Sequence, residues 1–431
     1  MKQRYNKVII SIFCLIASSS TYAQLVLNGQ DTSYRVITTA VPFLTIAPDA
    51  RAAGMGDVGA ATNADVNATY WNPAKLVFTK ADKGISLSYT PWLRRILSGM
   101  SVSYLSAYTK LDDKQAIAIA LNYFNLGNLS LKDNSGQGAG EFRPREFAIA
   151  TTYSRKLSEV LSMAATLRYI YSDIYGNLTI GNGVSSQAGN AIAGDLGIYF
   201  RTSPPEVSTP VQFAFGAVVS NLGTQINYGF GQKNYLPANL RIGTQVGFTL
   251  GFNQINLAVD LNKWLVPTPP VYKTRNGVVE RTTDGRPIIL HGKDPNRSYL
   301  SSVFGSFTDA PGGISEEIHE IMFSAGGEYI FNDMFMFRMG YFYESPSKGG
   351  REYLSLGAGA QLKSIGLDLA YLVPFQQNNP LGETIRFSLH LDIGDEFKPT
   401  EDKTRTNKNK RNPNTKKQRP PQYKNKHIKR R

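Results

Sequence analysis

The sequence predicts an all-β protein, a 14-stranded antiparallel transmembrane β-barrel with an N-terminal plug segment in the lumen. Three observations support this fold class. Fourteen stretches alternate apolar and polar residues, the connectors between them alternate in length, and the chain carries 23 Tyr and 22 Phe. A strand in a bilayer turns one face to hydrocarbon and the other to the lumen, and aromatic residues mark both membrane interfaces.

Residues 1–23 are predicted to be a cleaved secretory signal. Three basic residues and an apolar run over residues 8–17 precede a small-residue site that ends at Ala23. The run is shorter than the roughly 20 apolar residues that a spanning helix needs. The single cysteine, Cys14, lies inside this signal. Disulfides, thiolate catalysis and cysteine metal sites are therefore not expected after processing.

Residues 24–83 are predicted to form the plug because alanine and glycine dominate them and can pack closely inside a lumen. Two motifs stand out in this segment: Arg51, Gly54, Met55 and Gly56 in the first, and Trp71, Asn72 and Pro73 in the second. Gly54, Gly56 and Gly59 also match the spacing of a dinucleotide-binding loop. That loop needs a preceding strand and a following helix, which the sequence does not predict, so nucleotide binding is not expected.

The barrel is predicted to occupy residues 84–397. In its last strand Ile385, Phe387 and Leu389 would face lipid, while Arg386 and Ser388 would face the lumen. The predicted strands are 84–90, 100–108, 115–124, 146–153, 161–171, 192–200, 211–220, 239–250, 254–262, 320–331, 333–343, 352–362, 364–372 and 383–393.

The connectors fall into two length classes. Short turns are predicted within 109–114 and 251–253, at Asn332 and at Lys363, and long loops at 125–145, 172–191, 221–238 and 263–319. Short turns are typical of the periplasmic rim and long loops of the extracellular side. With an even number of strands, the first strand then begins and the last strand ends at the periplasmic side. The plug is expected to enter the lumen from that side. A secreted β-sandwich is the alternative, but it gives no reason for two length classes.

Two outer loops are candidate partner-binding surfaces. The longest, 263–319, is rich in proline and is predicted to resist regular structure, yet it carries Tyr272, Tyr299, Phe304 and Phe307. Aromatic side chains on an exposed loop favour partner contact, although simple disorder fits equally well. The first outer loop combines Pro91, Trp92, Leu93, Arg94 and Arg95. It fits either partner contact or an anchor at lipid level.

The plug motifs ahead of fourteen strands resemble the FadL superfamily of outer-membrane transporters, whose N-terminal segment plugs the barrel. Within that superfamily, the run Gly-Ile-Ser-Leu-Ser-Tyr-Thr-Pro-Trp-Leu-Arg at residues 84–94 resembles the PorV family of type IX secretion proteins of Bacteroidota. The resemblance covers residues 47–397.

The resemblance implies a non-enzymatic protein of the outer membrane, in contact with its lipid. Such a protein binds the folded C-terminal domains of secreted cargo, collects them from the translocon barrel (SprA/Sov type) and presents them to the attachment complex that contains the PorU sortase. Cargo and translocon contacts would then map to the outer loops. No cofactor is implied.

The competing hypothesis is a FadL-type conduit for hydrophobic small molecules, which needs an apolar lumen. The predicted inward face instead carries many charges, which suit a packed plug better. They are Arg168, Arg241, Arg338, Asp368, Arg386, His390 and Asp392.

Residues 398–431 carry 14 Lys and Arg against Glu401 and Asp402, a net charge of +12 out of the +14 of the whole chain. Such a tail is predicted to be disordered. In the periplasm it would meet anionic head groups, the cell-wall polymer or an acidic partner, or no partner, but not nucleic acid.

Catalysis and metal binding are not expected, since the four histidines are scattered and no catalytic motif is present. One acidic cluster with a histidine, made of Glu316, Glu317, His319 and Glu320, is interpreted as a solvated loop end rather than a metal site.

Overall fold

The computed structural model describes residues 34–93, 99–132, 138–176, 179–180, 184–202, 210–229, 231, 233–376, 381–382 and 384–394. The predictions for the signal (1–23), for the basic tail (398–431) and for Arg94 and Arg95 lie outside the described residues.

Fourteen antiparallel strands form a closed barrel, in which each strand pairs with the next along the wall and the last pairs with the first. This confirms the predicted fold class. The strands are β1 Lys83–Pro91, β2 Ser101–Asp112, β3 Gln115–Asn125, β4 Arg145–Lys156, β5 Leu161–Asp173, β6 Gly189–Arg201, β7 Val211–Gly223, β8 Asn239–Leu250, β9 Asn253–Trp264, β10 Ile321–Phe331, β11 Phe335–Tyr343, β12 Glu352–Leu362, β13 Ile365–Pro374 and β14 Ile385–Ile393.

The two faces of the barrel wall differ in polarity and exposure. In β3, Ile117 and Ile119 are exposed while Ala116 and Ala118 are buried, and the other strands alternate in the same way. The exposed side is apolar around the whole wall, as a surface in contact with lipid must be. None of the described helices is long and apolar enough to cross a membrane.

The N-terminal residues 34–82, here called the luminal segment, contact the buried side of strands all around the wall and therefore lie in the lumen. Two one-turn helices, α1 (Ala50–Ala53) and α2 (Ala68–Trp71), and two 3₁₀ turns, Pro42–Thr45 and Pro73–Phe78, interrupt its irregular path.

The luminal segment runs from the end of the barrel with the long connectors, here called the outer mouth, to the end with the short turns. At the outer mouth the Arg35 N–H donates to the Ser347 carbonyl at 3.0 Å. At the other end the Lys110 N–H donates to the Asp82 carbonyl at 2.8 Å. Only its last residues lie at the periplasmic rim, so the prediction that the segment enters from below is wrong for residues 34–41.

The longest connector is folded, contrary to the prediction from its prolines. It contains two small hairpins, Val271–Tyr272 with Ile289–His291 and Thr274–Arg275 with Val278–Val279. It also contains two helices, α3 (Tyr299–Gly305) and α4 (Ile314–His319). All six prolines of the connector lie outside these helices, so they do not remove a helical hydrogen bond.

Candidate docking surface at the outer mouth

Arg51 of the first plug motif is held in the lumen by carboxylates. Its guanidinium donates to Glu328 on β10 at 3.0 and 3.1 Å and to Asp65 at 2.6 Å. The same Glu328 accepts from Arg338 on β11 at 2.9 Å, and Arg338 reaches Asp368 on β13 at 2.6 Å. Side chains from the luminal segment and from three strands thus form one ionic network.

The second plug motif fastens α2 to other strands. The Arg241 guanidinium on β8 lies 4.5 Å from the centre of the Trp71 ring, within cation–π range. The Asn72 side-chain amide donates to the carbonyls of Ala60 and Ile198, both at 2.9 Å. Pro73 then opens the 3₁₀ turn, where its missing N–H costs nothing.

The glycines of the first motif allow close backbone contact with the wall. Gly56 has a φ of 72° and donates its N–H to the Ser355 hydroxyl at 2.8 Å. A Cβ atom on Gly340 would lie 2.0 Å from the Gly56 nitrogen, and one on Gly54 would lie 2.9 Å from the Cα of Gly357. These glycines are therefore explained by packing inside the barrel.

The predicted inward charges lie on the buried side of the wall, and several have partners there. Arg168 donates to Asp195 at 2.7 Å, and Arg386 lies 3.1 Å from Asp57 of the luminal segment. His390 lies 3.6 Å from Asp368. A lumen filled by a packed segment and lined by paired charges differs from an apolar conduit.

A buried ionic cluster, here called the cap cluster, ties the long connector to the outer mouth. Its members are Arg35 of the luminal segment, Lys263 at the end of β9, Lys348 between β11 and β12, and Glu316, Glu317 and Glu320. Lys263 lies 2.6 Å from Glu320 and 2.9 Å from Glu317. Lys348 lies 2.6 Å from Glu316 and 2.8 Å from Glu320.

The interpretation of Glu316, Glu317 and Glu320 as a solvated loop end is wrong, because all three are buried; only His319 is exposed. The connector folds back over the rim and brings these carboxylates to lysines that are distant in the sequence. Among the described residues, no group of three or more His, Cys, Asp and Glu is arranged to hold a metal ion.

The cap cluster is expected to weaken in strong acid. Burial acts to raise the pKa of Glu316, but hydrogen bonds from Arg35, Lys348 and the Gly312 N–H outweigh it and lower the pKa from 4.5 to about 2. A carboxyl group whose pKa is lower in the folded than in the unfolded protein stabilises the fold at any pH above its unfolded pKa. This stabilisation is lost as the pH falls from the unfolded pKa towards the folded one. We expect hydrogen-exchange protection of α4 to hold above pH ~5 and to decline from about pH 4.5 to 2.

The matched variant is Glu316→Gln, which cannot titrate at this position. In this variant, the hydrogen-exchange protection of α4 should be lower at neutral pH than in the wild type. The further decrease of this protection in acid should be smaller than in the wild type. A decline of the same size in both proteins would show that Glu316 does not carry the effect.

The four predicted aromatic residues of the connector have different environments. The Tyr299 hydroxyl accepts a hydrogen bond from the Gly223 N–H at 2.9 Å. The Tyr299 ring stacks on the Tyr235 ring, with 6.5 Å between the ring centres. Tyr272 is partly buried. Phe304 and Phe307 are 74% and 44% exposed.

Leu300, which is 66% exposed, lies one helical turn before Phe304. We call Leu300, Phe304 and Phe307 the α3 patch. Leu300 is not among the binding residues predicted from the sequence, although its spacing of four residues from Phe304 places both on one helix face. Ile314 and Ile318 on α4 were missed as well, and they have the same spacing.

The first outer loop turns its apolar residues inward. Pro91 is the last residue of β1, and the Trp92 N–H donates to the Met100 carbonyl at 3.0 Å. Trp92 and Leu93 are partly buried against an apolar cluster that includes Phe43 of the luminal segment. The structure therefore does not bring these residues together with the α3 patch in one exposed surface.

A closed antiparallel barrel with an apolar outer wall, a filled lumen and long connectors at one mouth defines an outer-membrane β-barrel protein. The family model of the type IX secretion system protein PorV matches residues 28–271, more than half of the chain. The chain therefore belongs to the PorV family, as its sequence motifs predict, and is an outer-membrane component of the type IX secretion system.

Solved structures of barrels are similar at low identity. The toluene transporter TbuX of Ralstonia pickettii is 13% identical with a TM-score of 0.45, and the match covers 80% of this chain and 98% of that one. The monoaromatic hydrocarbon channel CymD is 14% identical with a TM-score of 0.45, covering 81% and 98%. At these values the similarity carries no functional argument. No curated protein matches this chain.

Proposed function

We propose that this protein binds the folded C-terminal signal domains of secreted cargo at its outer mouth, receives them from the translocon barrel and delivers them to the sortase-containing attachment complex. It acts as a docking platform without catalytic activity, in the outer membrane of a Bacteroidota-like bacterium. The α3 patch is the observation that supports docking most directly. It exposes Leu300 and Phe304 and part of Phe307, whose ring also lies 5.8 Å from Lys263 Nζ, on a connector that is folded.

The α3 patch has a rigid support. Below it, the Ser302 hydroxyl lies 2.8 Å from the Tyr235 hydroxyl, and Val303 is buried against Leu265. The buried Asp309, four residues after the end of the helix, is paired with Arg297, two residues before its start. A surface that is ordered before binding loses little conformational entropy when a partner docks, and exposed aromatic residues are the usual anchors of protein interfaces.

The filled lumen supports this proposal over transport of hydrophobic small molecules. A cavity between the luminal segment and the wall is lined by Arg168, Arg241 and Arg351 together with Trp71 and Trp264. A conduit for apolar molecules needs a lining that lacks such desolvated charges.

Removing the α3 patch tests the proposal. We expect the double variant Phe304→Ser/Phe307→Ser to lower recovery of cargo and translocon, in pull-downs from detergent-solubilised outer membranes, by about tenfold or more, because buried aromatic anchors dominate interface energies. Val278→Ser is the matched control, since Val278 is 70% exposed on a hairpin of the same connector. Its pull-down should be unchanged.

Cells carrying each variant are then compared for surface retention of cargo and for uptake of hydrophobic small molecules. Heat-modifiable gel mobility verifies that each barrel is folded. Loss of cargo retention with normal uptake is the expected result. Normal retention with lost uptake would instead favour the transporter hypothesis.

A further inference from the structure

We propose that helix α4 is a lipid-binding element that lies on the outer leaflet of the membrane, with Ile314 and Ile318 inserted among the acyl chains. The partner is the lipid surface itself. The inference rests on the membrane location of the barrel and is independent of cargo binding.

The exposed side of α4 carries two isoleucines beside Ser315 and His319, while its buried side is charged. Ile314 and Ile318 are 81% and 60% exposed and lie one helical turn apart. Glu316 and Glu317 are buried and bonded to the lysines of the cap cluster. Because these ion pairs fix the rotation of the helix, the isoleucines cannot turn inward. An exposed apolar face of this kind, not covered by any of the described residues, marks a surface that binds a partner.

The apolar face of α4 continues into the lipid-facing side of the wall. Only Glu320 separates the helix from β10, whose first outward residues, Ile321 and Phe323, are 37% and 36% exposed. Phe323 pairs directly with Leu261 of β9, which is 46% exposed. Ile318 stands three residues before Ile321, so the exposed apolar residues of helix and strand lie close together in the chain, with the exposed His319 and the buried Glu320 between them.

The length of β10 places α4 at the edge of the hydrocarbon. The strand has 11 residues, close to the ~9–11 that a tilted strand needs to cross a bilayer. Its first residue, Ile321, then lies at the outer limit of the acyl chains, and the helix before it lies at the level of the head groups. Short amphipathic helices at this depth bury their apolar face in the boundary between head groups and acyl chains. The cap cluster and the lipid surface would thus fix α4 from opposite sides.

Single-cysteine labelling tests this placement. Because Cys14 is the only cysteine, Ile318→Cys in a Cys14→Ser background gives one labelling site. The labelled protein, carrying an environment-sensitive fluorophore, is reconstituted into phosphatidylcholine vesicles with and without bromine on the acyl chains. Leu257→Cys, at a 53% exposed position in the middle of β9, reports lipid contact, and Val278→Cys reports the exposed hairpin.

We expect bromolipid quenching at position 318 to approach that at position 257 and to exceed that at position 278 by about threefold or more. Aqueous iodide serves as a second quencher that reports access from water. The proposal would be overturned if bromolipid quenching at position 318 were no greater than at position 278 and iodide quenched position 318 freely. Protection from both quenchers would also overturn it, because it would show that protein covers the helix. The assay contains no cargo or translocon, so its failure leaves the proposed docking function intact.

Discussion

Replacing Glu328 with alanine is expected to lower the free energy of unfolding by about 3–5 kcal/mol, because it leaves buried arginines without their shared carboxylate. Glu328 is 2% exposed and receives hydrogen bonds from Arg51 and Arg338. Asp65 and Asp368 remain as partners of these two arginines. Neither can reproduce the contact that joins the luminal segment to β10 and β11.

Denaturant unfolding in detergent micelles, followed by circular dichroism of the barrel, measures this effect. The control is Asp284→Ala, which removes an exposed ion pair with Arg286 in the longest connector, 263–319. Such pairs add little to stability, so the control should unfold at the wild-type denaturant concentration. If Glu328→Ala also unfolds there, the network does not hold the luminal segment to the wall.

The barrel could be predicted from the sequence because its signal is local. Alternation at every second residue reports directly which side of the wall is apolar. The prediction for β8, residues 239–250, matches the structure. The predicted strand bounds are wrong mainly where a strand extends beyond the residues that alternate between apolar and polar. β6, for example, begins at Gly189 rather than 192, because Gly189 and Asn190 carry no apolar alternation.

The outer mouth could not be predicted because its contacts are not local. Arg35 and Glu316 are 281 residues apart in the sequence, yet their side chains bond at 2.8 Å. A sequence window around Glu316 shows acidic residues in a proline-rich loop, which is also what a solvated loop end shows. Only the fold of the whole chain reveals the lysines that neutralise them. The same holds for the path of residues 34–41 across the outer mouth.

Two adjacent glycines on β10 offer a sharper test of the packed lumen, since their side chains would point to opposite sides of the wall. A Cβ atom on Gly326 would lie 2.3 Å from the Met55 carbonyl oxygen. We expect Gly326→Ala to destabilise the protein by about 1–3 kcal/mol or more, because backbone rather than a flexible side chain must move. On Gly327 the nearest atom would be the Leu257 side chain at 3.4 Å, an ordinary contact.

Gly327→Ala is therefore the matched control, and it should leave stability unchanged or slightly improved, since alanine loses less backbone entropy than glycine. Unfolding curves of both variants give the stabilities, and hydrogen exchange at residues 50–60 shows whether the luminal segment has shifted. Because both substitutions add one methyl group to the same strand, strand propensity cannot explain a difference between them. Equal stabilities and unchanged exchange for the two variants would mean that the luminal segment does not pack against β10 as closely as its backbone contacts indicate.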